Sequence, residues 1–300
     1  MKSESAVLTY SCTAANIGAL EILLKGNHRP IYVDRFAHAT LQHGVTVAGA
    51  AGRCQVFQHN DLDHLRSLIR KTGSGVVAVD SIYSPTGEEA PMADLVELCR
   101  AFGCILVADE SHALGVIGEH GEGLVAHLGL EDGVQVRTTS LIKCLACENG
   151  VIASSRDVTD CFNHGSTLGI YSNPVQISSA IRVKKATEMA IQATEQRKNL
   201  RNLSKSFRQQ LNKAGFPARV DIDHPIVSLV VGEMDRAVKV HHFLCSKGVY
   251  PWVFCYPLIP KKESLVRFVI NHSVTPEKLA YTVETLRSLK DDLPPCSWTT

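Results

Sequence analysis

The sequence has no surplus of either charge: 31 basic residues balance 30 acidic ones over 300 positions. No basic stripe with interleaved aromatics stands out, so nucleic acid is not an expected partner. The longest apolar runs are strand-sized, and no membrane span is expected. The opening Met1-Lys-Ser-Glu-Ser leads into no secretory apolar region. There is no G-x-S-x-G elbow, and Gly-Lys, the core of a Walker A loop, never occurs. Gly115, Gly118, Gly121 and Gly123 are spaced unlike a dinucleotide fingerprint. Asp109, His112 and His120 invite a metal reading, but no HExxH or comparable pattern accompanies them, and no metal is expected. No internal repeat or low-complexity tract appears. The 10 cysteines form no framework, and Cys144 with Cys147 makes a lone CxxC. Packed thiols in a reducing cytosol fit this usage, so a cytoplasmic protein is expected.

What remains is 45% apolar content, enough for a large core and a smaller second unit. Strand patterns fall at 30–34, 55–59, 75–82, 104–109, 134–140 and 150–154. Helical patterns at 61–72 and 93–102 lie between them. This alternation predicts an α/β fold with a mainly parallel sheet flanked by helices. A long amphipathic helix is expected from about Ile181 to Leu211, and the rhythm changes after it. Strands at 226–231 and 265–270 and helices at 235–247 and 276–290 then predict a smaller C-terminal α+β domain. The last helix has Thr275 as N-cap and Pro276 at its first position. The expected division is a large domain over 1–185 and a small one over 186–300.

The chemistry concentrates after one strand. Cys104-Ile-Leu-Val-Ala runs into Asp109-Glu-Ser-His112, and Lys143 follows on the next strand-like segment, Ser140-Leu-Ile-Lys143. An acid at a strand end, a histidine three residues on and a lysine after a neighbouring strand suit a pyridoxal 5'-phosphate (PLP) enzyme. The lysine amine would anchor the cofactor aldehyde, and the acid would keep the pyridine nitrogen protonated. His112 could reach the ring's phenolic oxygen. Taken singly, each of the three is as well read as a solvated loop residue. Asp34, Ser84, Asp109 and Ser140 all fall at or just beyond predicted strand ends, where parallel sheets bind ligands.

Several stretches together resemble the α-oxoamine synthases, the fold-type I PLP-dependent enzymes that condense an amino acid with an acyl-CoA. These are Asp34-Arg-Phe-Ala-His38-Ala-Thr-Leu, Phe57-Gln-His-Asn-Asp61, Asp109-Glu-Ser-His112 with its glycine loop to Leu124, Ser140-Leu-Ile-Lys143, and Leu265-Val-Arg267-Phe. The resemblance implies that Lys143 anchors PLP, Asp109 holds its pyridine nitrogen and His38 stacks on its ring. His112 and Ser84 would bond near the phenolic oxygen. Ser140, Cys12 and Thr13 would hold the phosphate, and Arg267 the amino acid carboxylate. Ser172 and Asn173 occupy the segment that crosses to a second subunit in relatives, so a homodimer with shared sites is implied. By itself, Arg267 could be a surface ion pair, Ser172-Asn173 a plain turn and Cys12 a buried thiol. His59, His64 and Glu110 are assigned no catalytic role.

Val79-Asp80-Ser81-Ile82-Tyr83-Ser84 and Trp252-Val-Phe-Cys255 look like the α-hydroxyketone autoinducer synthases of bacterial quorum sensing. Those enzymes join a short amino acid substrate to a medium-chain acyl-CoA with loss of CO2, leaving an α-aminoketone. Some features depart from the family. Only ten residues precede Ser11, so the chain reads as N-terminally shortened. Ser11-Cys12-Thr13 stands for serine-glycine-aromatic, Asn173-Pro174 replaces a hydroxyl residue, and Glu148-Asn149-Gly150 reduces a glycine run. A truncated or degenerate paralogue that binds PLP or a partner subunit without synthase activity is therefore an alternative. A PLP lyase or transaminase on the same fold is a third.

Overall fold

The computed structural model describes residues 1–289; the last expected helical residue, Lys290, lies outside them. The chain divides into two units, 1–83 with 89–194, and 84–88 with 195–300.

In the first unit, β1 (Ser5–Thr9) leads into α1 (Cys12–Leu24), β2 (Ile31–Asp34), α2 (Ala39–Val47), β3 (Cys54–Phe57) and α3 (Leu62–Thr72). There follow β4 (Val76–Asp80), α4 (Met92–Phe102), β5 (Ile105–Asp109), α5 (Leu124–His127), β6 (Val136–Ser140) and α6 (Ile142–Leu145). Then come β7 (Gly150–Ser154), α7 (Arg156–Gly165), α8 (Thr167–Tyr171) and α9 (Ile177–Gln192). Among the described residues, seven strands form one sheet in the order β1-β7-β6-β5-β4-β2-β3. Pairing is parallel from β3 through β6 and antiparallel at β7 and β1. The fold is thus the α/β arrangement expected, with an antiparallel edge.

Burial explains why the strands read as continuous apolar runs. Ile31, Val33, Val76, Ala78 and Val107 pack with Ala15, Leu20 and Leu41 of α1 and α2. The alternate residues Tyr32, Val77 and Leu106 are equally buried, so both faces of the sheet are covered. α1 is apolar almost all round, and two of its polar residues, Asn16 and Glu21, are themselves buried. Such a helix belongs inside a core and shows no amphipathic period, which is why no helix is expected there from sequence.

The second unit holds most of α10 (Thr194–Lys213), then β8 (Ile226–Gly232), α11 (Met234–Ser246), β9 (Trp252–Phe254), β10 (Ser264–Val269) and α12 (Pro276–Ser288). Its three strands among the described residues, in the order β8-β10-β9, are antiparallel. Phe207, Leu211, Phe216, Val240, Val266 and Leu286 form its core. Arg208 is buried there and donates to the carbonyls of Ser204, Val220, His224 and Ile226. Burial holds its pKa down to about 10, and four carbonyl acceptors compensate the buried cation.

Two local expectations are corrected. The single helix expected from Ile181 to Leu211 is two, α9 and α10. The Ala193 N–H turns back to the Ala190 carbonyl, which closes α9 before Thr194 opens α10. Lys143 sits on the one-turn helix α6 and not on a strand. The chain leaves β6 at Leu141, whose N–H is taken by the Asn149 carbonyl.

Candidate functional site

The carboxyl ends of β4, β5 and β6 and the N-terminus of α1 surround one cavity of about 320 Å³. Ser11, Cys12, Thr13, His38, Thr40, Asp80, Asp109, Ser111, His112, Ser140, Lys143 and Glu148 line it. A parallel sheet ends its strands together, so residues far apart in sequence converge there.

Asp109 closes β5 and is 4% exposed. Its Oδ1 accepts from the Ser111 N–H at 2.8 Å, and its Oδ2 accepts from Asn16 Nδ2 at 2.7 Å. Cys12 Sγ lies 3.7 Å from Oδ2 and 3.3 Å from Ser111 Oγ. Burial and the adjacent carboxylate push the Cys12 thiol well above its ordinary range, so it stays protonated. Lys143 Nζ is 2.7 Å from His112 Nε2. Ser140 is buried, and its N–H donates to Ser111 Oγ at 2.9 Å.

His38 is the N-cap of α2, with Nδ1 2.8 Å from Thr40 Oγ1. Burial lowers its pKa. Its backbone N–H donates to Asp80 Oδ1 at 3.2 Å. Asp80 is a second carboxylate in the cavity, and burial, then the neighbouring Asp109, raises its pKa well above the usual carboxylate range.

One wall of the cavity is built by the backbone at the start of α1. Ser11 caps α1 by accepting from Ala14 N–H at 3.1 Å. First-turn N–H groups have no acceptor within their helix, and a helix N-terminus favours an anion. Gly150, opposite Thr9 and Ser140 in the sheet, allows this turn to approach. A Cβ there would lie 2.4 Å from the Ser11 carbonyl oxygen and 2.6 Å from the Cys12 nitrogen.

The other expected residues are not among those that line this cavity. Ser84 and Arg267 belong to the second unit, where Arg267 Nη1 donates to Ser84 O at 2.6 Å and Ser84 Oγ at 2.8 Å. The Arg267 guanidinium lies over the Phe254 ring, and burial holds its pKa down to about 10. No described carboxylate pairs with it, and its Nε has no partner. Ser172 and Asn173 follow α8 and do not line the cavity of their own chain; Ser172 Oγ is bonded to the Leu168 carbonyl. Asp34, read as one of the converging strand-end acids, is taken up locally by Phe36 N–H, Asn60 N–H and His59 Nδ1. Glu110 is fully buried and accepts from Val125 N–H at 2.9 Å, bracing the start of α5. Cys144 and Cys147 are both free thiols.

Asn16, Thr40, Asp80 and Ser111 carry no role in the sequence reading, yet all four stand in or against this site. Asn16 is visible in the sequence only as one polar residue in an apolar helix.

The donor set fits PLP on its own chemistry: an amine at Lys143, a carboxylate at Asp109, and hydroxyls and helix N–H groups for a phosphate. Among the described residues, no group of three or more His, Cys, Asp and Glu side chains is placed to hold a metal ion.

Comparison with known proteins agrees. Residues 1–286 match the aminotransferase class I and II family. The CAI-1 autoinducer synthase of Vibrio campbellii is 37% identical over 271 residues, covering 90% of this chain and 68% of that protein. The putative 8-amino-7-oxononanoate synthase of Acetivibrio thermocellus is 31% identical over 94% of this chain and 72% of its own length. The solved serine palmitoyltransferase of Sphingomonas wittichii superposes with a TM-score of 0.90 at 21% identity, over 97% of this chain and 73% of that one. At that identity the structural likeness speaks for the fold alone. The chain belongs to the class I and II aminotransferase family and, within it, to the PLP-dependent α-oxoamine synthases, which are acyltransferases.

Proposed function

We propose that this protein condenses a short amino acid substrate with a medium-chain acyl-CoA, releasing CoA and CO2 and leaving an α-aminoketone, as an autoinducer-type synthase. The likeness to the Vibrio campbellii protein, together with Lys143 and Asp109 in one cavity, carries the reading. When bound, PLP supplies an aldehyde for amines and an electron-accepting ring that stabilises negative charge beside nitrogen.

Lys143 holds the cofactor, and its Nζ is the base that takes the amino acid α-proton, with His112 Nε2 as its hydrogen-bond partner. Asp109 would keep a proton on the pyridine nitrogen. His38 would pack on the ring. Ser140, Thr13 and the Cys12 backbone would bind the phosphate. Ser84 Oγ accepts from Arg267, which leaves its hydroxyl hydrogen to donate; the family resemblance would give it to the cofactor's phenolic oxygen.

The amino acid carboxylate is assigned to Arg267. A buried guanidinium without a counter-carboxylate is costly, and a bidentate carboxylate ligand relieves that cost. Arg267→Lys is expected to raise the amino acid KM roughly 10- to 100-fold, since charge-assisted hydrogen bonds contribute about 1.5–3 kcal/mol. The acyl-CoA KM should change little. An equal rise in both would remove the assignment.

A homodimer is supported by a face of α8 and α9. No α9 residue is buried, and Tyr171, Ile177, Ile181 and Met189 are 82%, 80%, 64% and 61% exposed. Apolar surface of this extent favours a partner. Light scattering should give twice the 32.7 kDa chain mass, and Ile177→Asp with Ile181→Asp should give the single-chain mass. A single-chain mass for the parent would contradict the dimer.

The activity is tested by mixing the PLP-loaded protein with amino acids and acyl-CoA thioesters of graded length, then measuring free CoA and the ketone by mass spectrometry. CoA release that needs both substrates is expected. Amino-group transfer or lyase products without CoA release would overturn the reading. No helix among the described residues is long and apolar enough to cross a membrane.

A further inference from the structure

Two of the polar residues that the sequence reading leaves unassigned, Asn16 and Thr40, are bonded to each other, and Asn16 is bonded to the site acid Asp109. Asn16 is 0% exposed. Its Nδ2 donates to Asp109 Oδ2 at 2.7 Å and to Thr40 Oγ1 at 2.8 Å, and its Oδ1 accepts from the Thr138 hydroxyl. This pattern fixes the amide's orientation. A flipped amide would set its oxygen against the Asp109 carboxylate, acceptor facing acceptor.

The same pattern fixes hydrogens one residue further on. Thr40 Oγ1 accepts from Asn16, so its single hydrogen is free for His38 Nδ1 at 2.8 Å. Thr40 N–H also points at Nδ1, at 3.4 Å. The Thr40 N–H can only donate, and the Thr40 hydroxyl hydrogen is available to the same nitrogen, so the pattern assigns Nδ1 as the unprotonated nitrogen and Nε2 as the one that carries the ring hydrogen.

We infer that Asn16 is a positioning residue that sets the Asp109 carboxylate and, through Thr40, holds His38 as a neutral ring with its hydrogen on Nε2. The acid that serves the cofactor nitrogen and the ring that packs on the cofactor are thereby oriented by one amide. A protonated His38 would carry a hydrogen on Nδ1, lose the α2 cap and face the Thr40 N–H. Asp109 on β5, Asp80 on β4, Lys143 on α6 and His43 on α2 are the charged and titratable groups around the ring. Burial, the largest influence on it, favours the neutral form.

The inference rests on the reading above only in assigning Asp109 and His38 to the cofactor; the network stands in the chain itself. The test is therefore nitrogen-15 NMR of the histidine side chains in the 300-residue chain without added PLP, followed by PLP titration. His38 is expected in the Nε2–H form, protonating only below the ordinary histidine range. Thr40→Val and Asn16→Leu should each mix the two tautomers, and Thr40→Ser should restore the parent spectrum. Asn16→Leu should also weaken PLP binding about tenfold, the scale of one charge-assisted hydrogen bond. Thermal midpoints identify any variant that fails to fold, and the parent spectrum with Thr40→Ser remains decisive in that case. An Nδ1–H form in the parent, or unchanged His38 signals in both Thr40→Val and Asn16→Leu, would overturn the inference. A parent that gives the expected spectrum but releases no CoA would instead overturn the synthase reading.

Discussion

Lys143→Ala is expected to lower CoA release by more than about 10³-fold, the scale for losing a positioned base that is also the covalent anchor. Among the described residues Lys143 is the one lysine lining the cavity, and its Nζ meets His112 Nε2 at 2.7 Å. Alanine leaves the imidazole without that partner and removes the amine that holds the cofactor. The fold should survive, because the Lys143 side chain is exposed and α6 buries nothing at that position. Small primary amines added in solution should restore part of the activity by occupying the vacated space. CoA release with and without ethylamine measures both effects. Activity within tenfold of the parent would remove Lys143 from the chemistry.

Asp109→Asn is expected to lower kcat about 10²- to 10³-fold, as loss of one preorganised electrostatic contact does elsewhere. An amide cannot keep a proton on a pyridine nitrogen. It also breaks the local pattern, because Asp109 accepts on both oxygens, from Ser111 N–H and from Asn16 Nδ2. The new amide nitrogen would face one of these donors whichever way it turned. A lowered thermal midpoint should therefore accompany the loss, by about the 1–3 kcal/mol of an unsatisfied buried pair. Asp109→Glu keeps the charge but displaces it, and should retain more activity than Asn. Equal activity in Asn and parent would show that no pyridinium charge is held there. Calorimetry and initial rates on the PLP-saturated variants make the comparison.

Much of the fold was legible because β2, β4, β5 and β7 are apolar runs punctuated by glycine, proline or polar strand ends. Asp109, His112 and Lys143 were legible as a site for the same reason, since each follows a readable strand. α1 was not. Its apolar residues occur on every side, so no period marks it, and Asn16 within it cannot be told from any other asparagine. Its partner Thr40 lies 24 positions away, and Asp109 lies 93 positions away, distances that only the tertiary fold closes. The break at Ala193 was also hidden, because α9 and α10 are both polar-rich and helix-forming across it. Gly150 showed the opposite case: it read as a remnant of a glycine run, while its missing Cβ is what allows the Ser11–Cys12 turn to lie against β7.

The most direct test of the account is to map where PLP attaches. The protein is incubated with PLP, reduced with borohydride and digested, and the labelled peptides are sequenced by mass spectrometry. A single stoichiometric label on Lys143, absent from Lys143→Ala, is the expected result. Label spread over surface lysines, or none at Lys143, would contradict the assignment of this cavity as the PLP site.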